Sequence, residues 1–119
     1  MFQKKARAHY LGKGGLGRLN CAQAVVAAFG EILYCDGLLT ECADYANGNA
    51  PGGLCGSIYA AHRILQKHNP EAASRALSDF ETAAGSLHCK NIRTKRCISC
   101  VECVAKAAEI VQNANKNDR

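Results

Sequence analysis

The chain has 119 residues, 48% of them hydrophobic and only 6% aromatic, with no Trp, two Pro and a formal charge of +5. That length suits one domain (residues 1–119) with an ordinary core, and abundant Ala with few aromatics favours helices packed through small side chains over a β architecture. No apolar run reaches the length of a membrane span, and no aromatic-interleaved basic stripe points to nucleic acid, so neither partner is expected.

Eight cysteines are far above the usual number for such a chain. The basic start MFQKKARAHY is not followed by an apolar run before Gly12, so the sequence predicts no secretory leader and a cytoplasmic setting. In that setting structural disulfides are disfavoured, and clustered cysteines serve metal or redox chemistry. The positive charge is weak evidence for a nucleic-acid partner, because four bound thiolates would cancel most of it.

Residues 1–11 read as a short helix, with Phe2, Ala6, His9 and Tyr10 at helical spacing. Gly12 to Gly17 spell GxGxxG, but no strand precedes them and the next helix starts too late for a dinucleotide site. The expectation is a mobile glycine loop that places Asn20. Asn20 and Gln23 form a capping-box pair, and Ala22, Val25, Val26, Phe29, Ile32 and Leu33 then follow helical spacing. Cys21 is the first residue of that helix and points inward with Val25 and Phe29.

A short helix is expected over Thr40–Ala46, ended by Asn47-Gly48-Asn49. Pro51-Gly52-Gly53 turns the chain into a third long helix with Cys55 at its start and Leu54, Ile58, Ala61 and Leu65 as its apolar stripe. Asn69-Pro70 is a strong start signal, and Gly85 a stop, for a helix with Ala73, Ala76, Leu77, Phe80 and Ala84 inward. Residues 86–97 read as a connector carrying Cys89 and the basic run Lys90, Arg93, Lys95, Arg96. Ser99 and Glu102 then cap a last helix with Val101, Val104, Ala105, Ala108 and Val111, and the tail NANKNDR reads as frayed. The fold class is therefore all-α: a compact bundle of about five helices joined by short loops, with cysteines at several helix N-termini.

Cys97, Cys100 and Cys103 fall within seven residues, and Cys100 begins a helix. Unpaired N–H groups and the dipole at a helix start favour a thiolate, which is both the metal ligand and the nucleophile. Cys21, Cys55 and Cys100 all stand at helix starts, and Cys89 lies just before the last of these. Helix starts at one end of a bundle can converge, and four thiolates are the ligand set of a zinc ion or an iron–sulfur cluster. Against this stands the plain use of Cys as a small apolar residue, which is the preferred reading for Cys35 and Cys42. His88, beside Cys89, is a further ligand candidate. His9, His62 and His68 read as ordinary surface or core residues. The basic run reads equally as a solvated loop or as a dock for an acidic redox partner.

With these cysteines placed, nearly the whole chain, from about Ala6 to Val111, resembles the C-GCAxxG-C-C family of redox-active proteins. The likeness is carried by Asn20 to Val25, Gly52 to Gly56, Phe80 through Gly85-Ser86 to Cys89 and Ile92, and Cys100 with Val104, Ala107 and Ala108. The family motif reads GCAxxG where this chain has Leu54-Cys55-Gly56-Ser57-Ile58-Tyr59, so its flanking glycines are replaced. The resemblance implies thiol or metal redox chemistry with Cys21, Cys55, Cys89 and Cys100 as the four family cysteines; Cys97 and Cys103 are extras to that pattern, available as alternative ligands.

The sequence thus leads to three functional expectations. First is an iron–sulfur cluster held by Cys21, Cys55, Cys89 and Cys100 for electron transfer to a partner protein. Second is a structural zinc module. Third is thiol–disulfide exchange by the Cys97/Cys100 pair, although no thioredoxin-like βαβ pattern accompanies it. An Ala-rich helix face also leaves room for a homodimer.

Overall fold

The computed structural model describes residues 2–13, 15, 17–29, 37–45, 50–95 and 98–117, with the side chains of 93, 95 and 115–117 excepted. Among these residues the architecture is all-α, with no strand; the one β-type pairing is an isolated bridge between Leu54 and His88. The helices are α1 (Phe2–Tyr10), α2 (Cys21–Ala28), α3 (Leu38–Glu41), α4 (Gly56–His68), α5 (Pro70–Ala84), α6 (Cys89–Lys95) and α7 (Cys100–Asn117). Two 3₁₀ turns, Cys42–Asp44 and Pro51–Gly53, complete the described elements. The expected count of about five helices is thus low.

The long helices start where their caps dictate. At α2 the Asn20 side chain accepts from the Gln23 amide at 2.8 Å and Gln23 returns the bond to the Asn20 amide, closing the capping box. At α5 the Asn69 side chain accepts from the Ala72 amide, and Pro70 takes the first helical position, where its missing N–H costs nothing. Gly85 ends α5 with φ of 84°, a left-handed turn that a side chain would strain. At α7 the Ser99 hydroxyl accepts from the Glu102 amide, and the Glu102 carboxylate pairs with Arg7 of α1 at 3.2 Å.

α4 runs through the middle of the molecule, against α2, α5 and α7, while α1 lies across α2 and α7. Phe29, Phe80, Ile58, Ile64, Leu65, Val25, Val104 and Val111 are fully buried between them. Each contributes on the order of 1.5–3 kcal/mol of hydrophobic stabilisation. Small residues let the helices close around these larger ones: Ala6, Ala22, Ala24, Ala60, Ala61, Ala76, Ala84, Ala107 and Ala108 are all inaccessible to solvent. Phe2 stacks on Phe29, ring centres 4.5 Å apart, and pins the start of α1 to the end of α2.

Four boundaries differ from the sequence expectation. α2 ends at Ala28 with Phe29 as its cap, and Ile32 and Leu33, expected on its stripe, lie outside the described residues. The short helix starts at Leu38, two residues before Thr40, because burying Leu38 draws it into the core; it passes into a 3₁₀ turn at Cys42, and Ala46 lies outside the described residues. The connector after Gly85 contains a helix, α6. Ser86, itself buried, accepts from the His88 amide and the Asn91 side chain, and Ile92 is buried, so packing overrides a weak local pattern. Finally, α7 extends to Asn117 through much of the tail expected to fray; Ala114 is buried, and its carbonyl accepts from the Asn69 side chain at 3.5 Å.

Gly12 and Leu19 both lie against the end of α1. The amides of Gly12 and Leu19 both donate to the His9 carbonyl, at 3.2 and 3.1 Å. This delivers Arg18, Leu19 and Asn20 to the end of the molecule where α2, α4, α6 and α7 begin.

Candidate functional site

Five cysteines line one open cavity of about 300 Å³: Cys21, Cys55, Cys89, Cys100 and Cys103. Each stands at or near a helix start. Cys21, Cys89 and Cys100 are the first residues of α2, α6 and α7, Cys55 is the residue before α4, and Cys103 lies one turn into α7. Cys97, the sixth cysteine expected here, lies outside the described residues. The remaining walls are Tyr10, Arg18, Leu19, Asn20 and Ile92.

Two features draw these sulfurs together. The first is Gly56, the first residue of α4. A Cβ there would stand 2.6 Å from the Tyr45 carbonyl oxygen, 2.8 Å from the Cys21 sulfur and 3.2 Å from the Ala22 Cβ. Only a residue without a side chain lets α2 approach α4 so closely. The second is the connection ahead of α6: the Cys55 amide donates to the Leu87 carbonyl at 2.8 Å, and Leu54 pairs with His88. This antiparallel crossing sets Cys89 beside Cys55.

The sulfurs do not share charge equally. Cys55 is held down to about 3, first by a hydrogen bond from Cys103, then by one from Cys21, with burial opposing and Ser57 assisting. The Ser57 hydroxyl lies 3.0 Å from the Cys55 sulfur. Cys21 and Cys103 are both pushed well above the ordinary thiol range, in each case chiefly because they donate to Cys55 and then because they are buried. Of the three coupled sulfurs, Cys55 is thus the one that ionises most readily, and Cys21 and Cys103 hold their protons. Tyr10 is raised as well, by burial, then by the charges of the neighbouring Cys100 and Cys21 sulfurs, and by a hydrogen bond with Cys100.

Cys42 is different. It is wholly buried in the apolar core, and burial followed by the Glu41 carboxylate raises it to about 11. This fits the small-apolar reading of that residue; Cys35 lies outside the described residues. Among the described residues, His88 is not on the cavity wall, and of the basic run Lys90 alone has a described side chain, which is exposed. None of the six described cysteines is in a disulfide.

Among the described residues no three or more His, Cys, Asp or Glu side chains stand ready-made at the spacing of a metal-ion site. The two metal readings differ in the spacing they require. A tetrahedral ion with Zn–S bonds of about 2.3 Å requires its four sulfurs within about 3.8 Å of one another, whereas a cluster has a separate iron for each thiolate and its ligands stand further apart. The donor set is several thiols on one cavity, the ligand type that zinc sites and iron–sulfur clusters share.

The sequence did not identify Tyr10, Arg18, Ser57 or Ile92 as site residues. Ser57, two positions after Cys55 and on the first turn of α4, is the one with a local signal, since a hydroxyl there can reach back to the preceding side chain. No family model, curated protein or solved structure matches this chain. Among the described residues no helix is long and apolar enough to cross a membrane.

Proposed function

We propose that this protein is a redox carrier in which Cys21, Cys55, Cys89 and Cys100 hold an iron–sulfur cluster for electron transfer, with Cys103 and Cys97 as additional ligands. One observation supports this reading above the others: thiols from four helix starts, distant in sequence, line the same cavity. Thiol exchange requires two sulfurs, whereas a cluster requires four. The cluster, when bound, supplies the electron-accepting centre. The chain supplies the ligands, the hydrogen bonds from Ser57 and Tyr10 that hold sulfur charge, and the apolar walls of Leu19 and Ile92 that limit water. Because Cys21 and Cys103 are protonated in the metal-free state, ligation releases protons and binding strengthens as pH rises. Membership of the C-GCAxxG-C-C family, a cytoplasmic setting and a separate redox partner protein belong to the same proposal.

The test is purification without oxygen, followed by absorption spectra and iron and acid-labile sulfide analysis. The expected result is a coloured protein with iron and sulfide in comparable amounts, lost in a Cys55→Ser variant. A colourless protein free of both after anaerobic reconstitution ends the proposal. One zinc per chain, with loss of helix on chelation, would make the site structural instead.

A further inference from the structure

The cysteine cavity opens among cations. Among the described residues no Asp or Glu lines it, and Arg18, which is exposed, stands on its wall. The chain doubles back beside that residue: a Cβ on Gly12 would lie 3.4 Å from the Arg18 Cβ, so Leu11 and Lys13, on either side of Gly12, are set next to Arg18. Another part of the wall is α6, which contributes Cys89 and Ile92. Lys90 of that helix is exposed, Arg93 and Lys95 lie further along it, and it has no acidic residue. The described ion pairs engage Arg7, Arg63 and Lys106, and none includes Lys13, Arg18 or Lys90. Leu11 is 52% exposed, one of two large hydrophobic side chains so exposed among the described residues.

Taking the redox-carrier reading as given, we propose that this opening is the docking face for an acidic electron-transfer protein, with Arg18 and Lys90 steering it and Leu11 making the apolar contact. Electron-transfer encounters bury little surface and are oriented by charge, so a few unpaired cations around one exposed apolar side chain are enough. The position suits the task, because a partner seated there covers the opening to the sulfurs, shortening the path of an electron and excluding water. The same charge would draw a nucleic acid, but single strands are held by aromatic faces on which bases stack. Tyr10, the one aromatic on the wall, is half-buried and hydrogen-bonded with Cys100.

The experiment uses the full chain, metal-free and reduced without oxygen, so it is separate from the iron and sulfide analysis. Two methanethiosulfonates, one bearing a sulfonate and one a trimethylammonium group, are compared at Cys89 and Cys100 by mass spectrometry. Each rate is divided by that of mercaptoethanol with the same reagent, which cancels intrinsic reactivity. The anionic reagent should be favoured about tenfold in dilute buffer, and the preference should vanish in about 1 M salt. Arg18→Glu and Lys90→Glu, both at exposed positions, should each lower it several-fold. A flavodoxin, as the acidic protein probe, should slow labelling of Cys100 by uncharged methyl methanethiosulfonate in dilute buffer, and slow it less in Leu11→Ser; cytochrome c, a basic carrier, should not. Equal normalised rates for the two charged reagents, or a flavodoxin without effect, overturns the proposal. Protection by a single-stranded oligonucleotide and not by the flavodoxin also overturns it, making the face a nucleic-acid surface. If iron and sulfide are absent while the anion preference and the flavodoxin protection hold, the cluster reading fails and the docking face stands.

Discussion

Cys42 and Cys55 are both almost completely buried, one wholly and the other at 6% exposure, yet their thiols are displaced in opposite directions, to about 11 and about 3. Burial raises both. At Cys42 the burial is unopposed by any donor strong enough to reverse it: the neighbouring Glu41 carboxylate adds to the rise, and Arg63, engaged with Glu41 and Tyr59, offsets only part of it. At Cys55 two thiols and a hydroxyl donate to the same sulfur, and their sum outweighs burial. Hydrogen-bonding partners, and not exposure, set the direction in which a buried thiol is displaced in this molecule.

The widest expected separation between the two is in the pH dependence of alkylation of the metal-free protein. Cys55, depressed from an ordinary value of 9.0 to about 3, is a thiolate throughout the range from roughly pH 5 to pH 8, and its rate with iodoacetamide should be flat there. Cys42, raised to about 11, loses about tenfold in thiolate for each pH unit below that value, so its rate should fall steeply across the same range. Site-resolved mass spectrometry measures both in one sample. Parallel slopes at the two residues would remove the distinction.

A smaller effect is expected from Gly56→Ala, which tests whether close packing of α2 on α4 is what brings Cys21 to Cys55. The new methyl group would meet the Tyr45 carbonyl and the Cys21 sulfur at 2.6 and 2.8 Å. Neither the backbone oxygen nor the half-buried sulfur at the first residue of α2 can yield without moving a helix, so a loss of about 3 kcal/mol in urea unfolding is expected, the upper part of the usual overpacking range. Separation of the sulfurs would also make Cys21 a more ordinary thiol, labelled faster at neutral pH. An unchanged unfolding midpoint would show that α2 and α4 are not in this contact.

The all-α class and the starts of α2, α4, α5 and α7 were legible in the sequence because each is fixed locally, by Asn20 with Gln23, by Pro51-Gly52-Gly53, by Asn69 with Pro70 and by Ser99. From these starts the convergence of Cys21, Cys55, Cys89 and Cys100 on one cavity could be anticipated. α6 was not legible, because its burial of Ile92 and its anchoring by Ser86 arise from tertiary packing. Nor was the inequality among the sulfurs. The sequence favoured Cys100, by its position at a helix start, as the activated thiol; it is Cys55 that is lowered, through partners at positions 103, 21 and 57. Which sulfur accepts depends on distances between helices, and no local pattern encodes those.

The smallest expected effect comes from Asn20, the residue that joins the two cysteine environments. Its side-chain oxygen caps α2, placing Cys21, while its NH₂ group donates to the carbonyls of Cys42 and Ala43, both at 2.9 Å. Asn20→Ala removes both functions and should cost about 2 kcal/mol, roughly one for the cap and the rest for the lost carbonyl bonds. Asn20→Ser keeps an oxygen for the cap but cannot reach both carbonyls, and should cost about 1 kcal/mol. The two variants therefore separate the environments. In the Ser variant the turn at Cys42 is released while α2 still begins at Cys21, so alkylation of Cys42 should rise and that of Cys55 stay as it was. If Cys55 labelling changes as much as Cys42 labelling in Asn20→Ser, the thiol cavity and the Cys42 turn behave as one unit, and the contrast between the two cysteines is a property of the whole end of the bundle and not of the donors around each sulfur.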